Sequence, residues 1–149
     1  MSLLKAALLG VALCLMCLCC LFVVGCSPDT RVVVMSGSGG EVVRVRAEIA
    51  DTPQKMLVGL SGRSYLAEDS GMLFIFSDTV TQPFYMKDTL IPLSIAFISE
   101  DGVIVDIQDM EPLSLQFHYP AYPHRYALEV NQGFFQRHGV VIGGKAELR

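Results

Sequence analysis

The sequence predicts a mostly β fold, a compact barrel-like single domain of short strands with two short helices. The clearest strand lies within residues 41–50, where Val43, Val45, Ala47 and Ile49 alternate with charged residues. Such a period of two indicates a strand with one buried face. Further short apolar runs follow along the chain, separated by glycine, proline and aspartate. Many short strands favour an all-β barrel, and a β-rich α+β fold is the alternative.

Two short segments have the signals of helices. The first is predicted to begin at Asp51-Thr52-Pro53, because a capping residue followed by proline is typical of the first helical turn. Three apolar residues would share one face of this helix: Met56, Leu57 and Leu60. Gly62 can end it. A second helical turn is predicted at residues 133–138, ended by Gly139.

The remaining apolar runs predict strands. They are residues 71–76, 84–86, 93–99, 103–107, 126–130 and 145–148. Asp101-Gly102 lies between two of these runs and is a strong hairpin signal. Residues 111–125 contain three prolines, so this segment cannot form a regular helix.

The first 25 residues have the pattern of a secretory signal. Lys5 is the single charge among residues 1–28, and the chain is almost continuously apolar from there to Val24. The string Val24-Gly25-Cys26 resembles the bacterial lipobox, in which the cysteine is lipidated and becomes the new N-terminus. An apolar run of about 20 residues could also cross a bilayer as an uncleaved anchor.

These features predict three regions. Residues 1–25 form a lipoprotein signal peptide, residues 26–40 a lipidated Cys26 and a flexible tether, and residues 41–149 a β-rich domain. The run Val32-Val33-Val34 leaves open a first edge strand within the tether. All five cysteines fall within residues 1–26, so the mature domain would depend on its core without a disulfide.

The predicted location is the cell envelope, on the extracytoplasmic side. Two or more acyl chains on Cys26 would anchor the protein stably to the membrane. In enteric bacteria an aspartate after the cysteine favours retention in the inner membrane, and this chain has Ser27. If the host is Gram-negative, the outer membrane, at its periplasmic face, is the expected destination.

Charge and histidine spacing argue against two classes of function. Removal of residues 1–25 takes away Lys5 and no acidic residue, which leaves 10 Lys and Arg against 15 Asp and Glu. An acidic domain does not favour nucleic acid as a partner. His118 and His124 could pair as metal ligands, but zinc sites usually have tighter spacing. We therefore predict neither a metal nor a cofactor.

Several strings, in this order, resemble the bacterial family of domain of unknown function 192. They are Gly59-Leu60 with Arg63 and Leu66, Gly71-Met72-Leu73-Phe74 with Phe76, Phe84 to Thr89 with Ile91-Pro92-Leu93, Asp101-Gly102, Leu128-Glu129 with Gly133, and Gly143. The resemblance covers roughly residues 41–148. It implies a small exported or anchored protein with a compact β-rich fold and no established activity. The chain departs from the family pattern at four positions: Ser61 for Met, Tyr85 for Trp, Asp88 for Asn and Ser94 for Asp.

The matched positions supply the candidate ligand-binding residues. They are Arg63, Tyr85, Lys87, Thr89 and Glu129. We expect Lys87 and Glu129 to lie beside Arg63 on one concave patch, because charges set in apolar strings are usually paired or used.

Two functions remain open at this point. The first is an envelope-anchored, non-catalytic binding or accessory module. The alternative is an envelope hydrolase that uses Glu129 or Asp88 as acid or base.

Overall fold

The computed structural model describes residues 29–149, which form a seven-stranded sheet with two short helices. The elements, in chain order, are β1 (Thr30–Ser36), β2 (Val42–Ala50), α1 (Pro53–Val58), β3 (Ser70–Val80), β4 (Leu93–Ile98), β5 (Ile104–Met110), β6 (His124–Asn131), α2 (Phe134–Arg137) and β7 (Ala146–Leu148). The mostly β prediction is therefore confirmed. Among these residues, no helix has the length and apolar character needed to span a membrane.

The strands are arranged in the order β5-β4-β6-β3-β2-β1-β7. All neighbours are antiparallel except β2 and β3, which are parallel and are connected through α1. Backbone hydrogen bonds also join the start of β5 to the segment that enters β7, from Ile104 N to Gly144 O (2.9 Å) and from Ala146 N to Gly102 O (2.8 Å). The sheet thus curls into a half-barrel whose two outer strands meet at one end.

Two apolar cores lie on opposite faces of the central strands. On β3, Leu73 belongs to one core, while its neighbours Met72 and Phe74 belong to the other. On β6, Leu128 belongs to the same core as Leu73, and Ala127 belongs to the core of Met72 and Phe74. Because β3, β4 and β6 are buried on both faces, their sequences are nearly continuous apolar runs. The second core includes side chains from the turn after α1 and from residues 84–91, and it underlies the candidate site.

Strand β1 shows that the folded domain begins earlier than residue 41. It pairs with β2 over its whole length, from Thr30 opposite Glu48 to Ser36 opposite Val42. Val33 and Met35 are fully buried, so the valine run contributes to the core. Residues 30–36 are therefore strand rather than tether. Cys26 and the signal segment lie outside the described residues.

Two local predictions need correction. Helix α1 ends at Val58, with Gly59 as its cap at a φ of 50°, and so stops before Gly62. Of the three apolar residues predicted to share one face, Leu60 is buried in the second core and Met56 packs against it, whereas Leu57 is 79% exposed. The predicted strand at residues 84–86 is a single bridge between Phe84 and His118. The chain turns immediately afterwards, with Asp88 in the left-handed region at a φ of 57°.

Candidate functional site

A pocket of about 350 Å³ opens between the end of α1 and residues 85–89. Its wall on the helix side runs from Leu57 to Ser61. The opposite wall consists of Tyr85, Lys87, Asp88 and Thr89, and Glu129 of β6 also lines the pocket. Four of the five predicted ligand-binding residues therefore lie around this one pocket.

Glu129 is the unusual group of the pocket. It lies on a central strand between Met72 of β3 and Ile95 of β4, and it is 5% exposed. Its carboxyl group forms no hydrogen bond or ion pair with any residue of the described range 29–149. Desolvation by burial raises the pKa of this carboxyl group to about 8. At neutral pH the group is therefore mainly protonated and can donate a hydrogen bond.

The loop opposite Glu129 is fixed by hydrogen bonds to the turn after α1. Gly62 N donates to Asp88 O (2.8 Å), and the Ser61 hydroxyl donates to Lys87 O (3.2 Å). Leu113 N donates to Thr89 O (2.9 Å). These bonds hold the backbone of the loop in place. The side chains of Lys87 and Asp88 are exposed beside the pocket.

Thr89 and Tyr85 complete the pocket wall in different ways. Thr89 is buried, and its hydroxyl lies 3.4 Å from Lys87 O, which is longer than a normal O–H···O bond. This hydroxyl can therefore serve a ligand. Tyr85 is 42% exposed, and its ring packs against Phe117 at a centroid distance of 5.6 Å. It gives the pocket an aromatic edge.

Arg63 lies outside this pocket. Its guanidinium forms a bidentate ion pair with Glu48, with Nη1 to Oε1 at 2.5 Å and Nη2 to Oε2 at 2.6 Å. The hydrogen bonds of this pair raise the pKa of Arg63 and lower the pKa of Glu48. The two residues line a neighbouring pocket of about 340 Å³, which also includes Val58 and Asp29. The expected patch of three charges is thus divided, and only Lys87 and Glu129 share a pocket.

The two histidines considered as metal ligands are held separately. His118 Nδ1 lies 3.2 Å from Gln108 Oε1. His124 is fully buried against the rings of Phe76, Phe84 and Phe97, and neither of its ring nitrogens has a hydrogen-bond partner among the described residues. Within residues 29–149, no group of three His, Cys, Asp or Glu residues could hold a metal ion.

The family model of domain of unknown function 192 (DUF192), described as "Uncharacterized ACR", matches residues 33–148. The chain belongs to the DUF192 family. Because the match starts at residue 33, it includes most of strand β1. None of the curated proteins compared with the chain matches it.

Solved structures support the same fold. A crystal structure of a putative transcription regulator from Sinorhizobium meliloti 1021 is 33% identical, with a TM-score of 0.78, and the match covers 82% of this chain and 95% of that one. A crystal structure of a protein of unknown function from Novosphingobium aromaticivorans DSM 12444 is 28% identical, with a TM-score of 0.76. The match covers 83% of this chain and 94% of that one.

Two departures from the DUF192 pattern have structural explanations. Asp88 replaces Asn at a left-handed position, and both residues tolerate that conformation better than most. Ser94 replaces Asp at a buried position on β4. Its hydroxyl donates to the Asp109 carboxylate and accepts from Gly133 N (2.8 Å). Ser94 does not line the pocket, so the carboxylate missing at this position is not a missing pocket group.

The wall formed by α1 is a feature that sequence reasoning missed. Leu57 and Val58 line the pocket and are 79% and 59% exposed. Apolar residues in a predicted helix are normally expected on a buried face. The early Gly59 is the signal that could have identified this wall, because a helix that ends there has few turns with which to form such a face.

Proposed function

We propose that this protein is a lipid-anchored, non-catalytic binding module of the cell envelope, and that its ligand occupies the pocket around Glu129. The observation that carries the proposal is a buried carboxyl group without a partner among the described residues, at the wall of an open pocket. Burial of such a group is costly unless it is paired or used. A ligand that contacts Glu129 would supply the absent partner.

The pocket favours a ligand with a carboxylate or carbonyl group. The protonated carboxyl of Glu129 would donate a hydrogen bond to such a group. Lys87 adds a positive charge at the exposed wall, and the Thr89 hydroxyl is a further donor. A small organic anion or the carboxyl terminus of a peptide has this chemistry.

The membrane attachment in this proposal depends on Cys26. Its support is the lipobox-like string Val24-Gly25-Cys26 after an apolar segment. The expected site is the extracytoplasmic side of the envelope, at the periplasmic face of the outer membrane in a Gram-negative host. The Sinorhizobium relative is described as a putative transcription regulator. The acidic charge of this domain and the exported location we propose argue against that role here.

A second candidate is an envelope hydrolase. It is favoured by one observation, namely that the side chains of Asp88 and Glu129 line the same pocket. A protonated Glu129 could act as general acid while Asp88 acts as base, as pairs of carboxyl groups do in hydrolysis of glycosides. Such an enzyme would act on a wall or polysaccharide component.

The test is a titration followed by amide NMR, with short N-acetylated peptides that have either a free or an amidated C-terminus. We expect shifts at residues 85–89 and 129 with the free carboxylate, and weaker binding to Glu129→Met by about tenfold, because methionine has no hydrogen-bond donor. Glu100→Gln, at the exposed turn between β4 and β5, is the control and should bind normally. Shifts that are absent, or equal for the amidated peptide, would contradict carboxylate recognition.

A second variant, Glu129→Gln, separates the two candidates, because glutamine keeps a hydrogen-bond donor but cannot act as a general acid. If the protein hydrolyses cell-wall fragments, Glu129→Gln should lose turnover by about a hundredfold or more while fragments still bind. For a binding module, affinity changes and no turnover is present to be lost.

A further inference from the structure

We infer that the end of the domain that carries α1 docks on the membrane surface, with Leu57 and Val58 in the interface. This inference rests on the proposed lipid anchor at Cys26. It goes beyond that anchor because it assigns an orientation to the domain and a lipid surface as the partner of α1.

The first described residue lies beside α1. Asp29 O accepts a hydrogen bond from Ile49 N (2.8 Å), at the end of β2. Strand β2 ends at Ala50, and α1 begins at Pro53. Asp29 also lines the neighbouring pocket together with Val58. The chain therefore enters the domain at the same end as α1.

The link between the anchor and the domain is short. Ser27 and Pro28 are the two residues between Cys26 and Asp29. Three steps of the chain span at most about 11 Å. A domain of this size has a radius of gyration of about 14 Å. Because the link is shorter than this radius, an acylated Cys26 would keep the α1 end close to the bilayer.

The surface of α1 suits an apolar contact. Leu57 and Val58 are exposed, and no residue of α1 is buried, so the fold does not use them to fill its core. Tyr85 lines the same pocket as both residues and is partly exposed. An aromatic ring with a polar tip is favoured at a membrane interface.

Four of the charged side chains around α1 form ion pairs. Asp51 forms an ion pair with Lys55 at 2.9 Å, and Arg63 forms the bidentate pair with Glu48. These pairs balance positive with negative charge, so docking at this surface does not require anionic lipids. We expect docking on zwitterionic phosphatidylcholine, driven by burial of apolar side chains.

The absence of tryptophan from the chain makes a direct test possible. Full-length lipidated protein with Leu57→Trp would be reconstituted into phosphatidylcholine vesicles containing brominated lipid. Ile142→Trp is the control. Ile142 is 57% exposed and precedes Ala146, which pairs with Met35 at the far end of β1 from Asp29. Flotation would be measured on the same samples.

We expect the indole introduced by Leu57→Trp to lose about half of its emission to brominated lipid, which reaches side chains inserted about 5–10 Å into the interface. The Ile142→Trp emission should not change. Addition of Val58→Asp to Leu57→Trp should remove the quenching while the vesicles still retain the protein.

The possible failures are distinguishable. If Leu57→Trp protein floats with the vesicles but is not quenched, the docking is wrong and the anchor stands. If both introduced indoles are quenched, the domain has no preferred orientation and the inference is also wrong. If the protein does not float with the vesicles, both the proposed lipid anchor at Cys26 and the docking are wrong.

Discussion

Strand β6 holds two buried ionisable side chains in very different surroundings. His124, at its start, is enclosed by three phenylalanine rings, and neither ring nitrogen has a hydrogen-bond partner within residues 29–149. Glu129, five positions later, is also buried, but it lines an open pocket. Burial lowers the pKa of His124 to about 4 and raises the pKa of Glu129 to about 8. Both shifts favour the neutral form, but a ligand in the pocket can reach only Glu129.

The comparison favours Glu129 over His124 as a candidate functional residue. A neutral imidazole packs as an aromatic ring, so His124 can contribute to the core while remaining uncharged. A carboxyl group brings little apolar area to offset the cost of its burial. A residue that costs stability and is reachable from solvent is the stronger candidate for a functional site.

The largest expected effect is the dependence of stability on the ionisation of Glu129. The unfolded chain releases this proton near the ordinary glutamate pKa of 4.5, whereas the folded protein holds it up to about 8. The unfolding free energy should therefore fall as pH rises from 4.5 to 8. Glu129→Gln should be more stable than the wild type at pH 8 by about 4 kcal/mol, and should gain little at pH 4.5.

Urea denaturation at the two pH values measures this difference, and the solvent-exposed Glu100→Gln is the control. If the advantage of Glu129→Gln is the same at both pH values, the carboxyl group is not desolvated as described. Glu129 and His124 could then no longer be compared as two desolvated groups.

His124 should give the opposite dependence on pH. Its folded pKa lies below the ordinary histidine pKa of 6.5, so the unfolded chain binds the proton first and stability falls as pH drops from 6.5 to about 4. His124→Leu should remove about 2 kcal/mol of this acid-induced loss. Thermal melts between pH 4 and 7 would measure it, with His118→Gln as control. If the unfolding free energy of His124→Leu depends on pH as strongly as that of the wild type, this imidazole is not desolvated.

Ser94 is a buried polar residue whose hydroxyl, unlike the Glu129 carboxyl, forms hydrogen bonds within the described residues. Ser94→Ala leaves Gly133 N and the Asp109 carboxylate without that hydroxyl, and should cost about 1–3 kcal/mol. Ligand titration of the pocket should not change, because Ser94 is not part of its wall. Ser94→Asp, which restores the family residue, should be destabilising alone and be rescued by Asp109→Ser. Failure of that rescue would show that a carboxylate at position 94 on β4 cannot take the place of the Asp109 carboxylate on β5.

The smallest change in stability is expected from a substitution of Leu57 in α1. Leu57→Ala should change the unfolding free energy by less than about 0.5 kcal/mol, because the side chain is mostly exposed. Leu60→Ala, only three residues away but buried, is the matched comparison and should cost about 2–5 kcal/mol. A similar loss in both variants would show that the Leu57 side chain packs against the core.

Local patterns predict those parts of the fold that depend on neighbouring residues. The alternation in β2 identifies its buried face, and Asp101-Gly102 identifies the hairpin of β4 and β5. The side-chain partners across the sheet cannot be predicted in this way. Arg63 pairs with Glu48 because the parallel pairing of β2 and β3 brings the turn after α1 back beside β2, and no local signal encodes that contact.

The candidate site is predictable only in part, for the same reason. A carboxyl group in the apolar string of β6 and a lysine in the string 84–89 are both visible in the sequence, and the structure places both at one pocket. The exposure of Leu57 is not visible there, because it depends on where α1 ends. The sequence also does not decide the role of β1 as a core strand, since a run of three valines shows no alternation.

The contact between β1 and residue 149 has a consequence for the order of folding. Val32 and Arg149 exchange two backbone hydrogen bonds, from Val32 N to Arg149 O (3.0 Å) and from Arg149 N to Val32 O (2.9 Å). The first strand of the domain is thus held by the last residue of this sequence, across almost the whole length of the domain. Such a contact forms late and slowly. The sheet cannot be completed until residue 149 has been synthesised, so the growing chain stays incompletely folded until then.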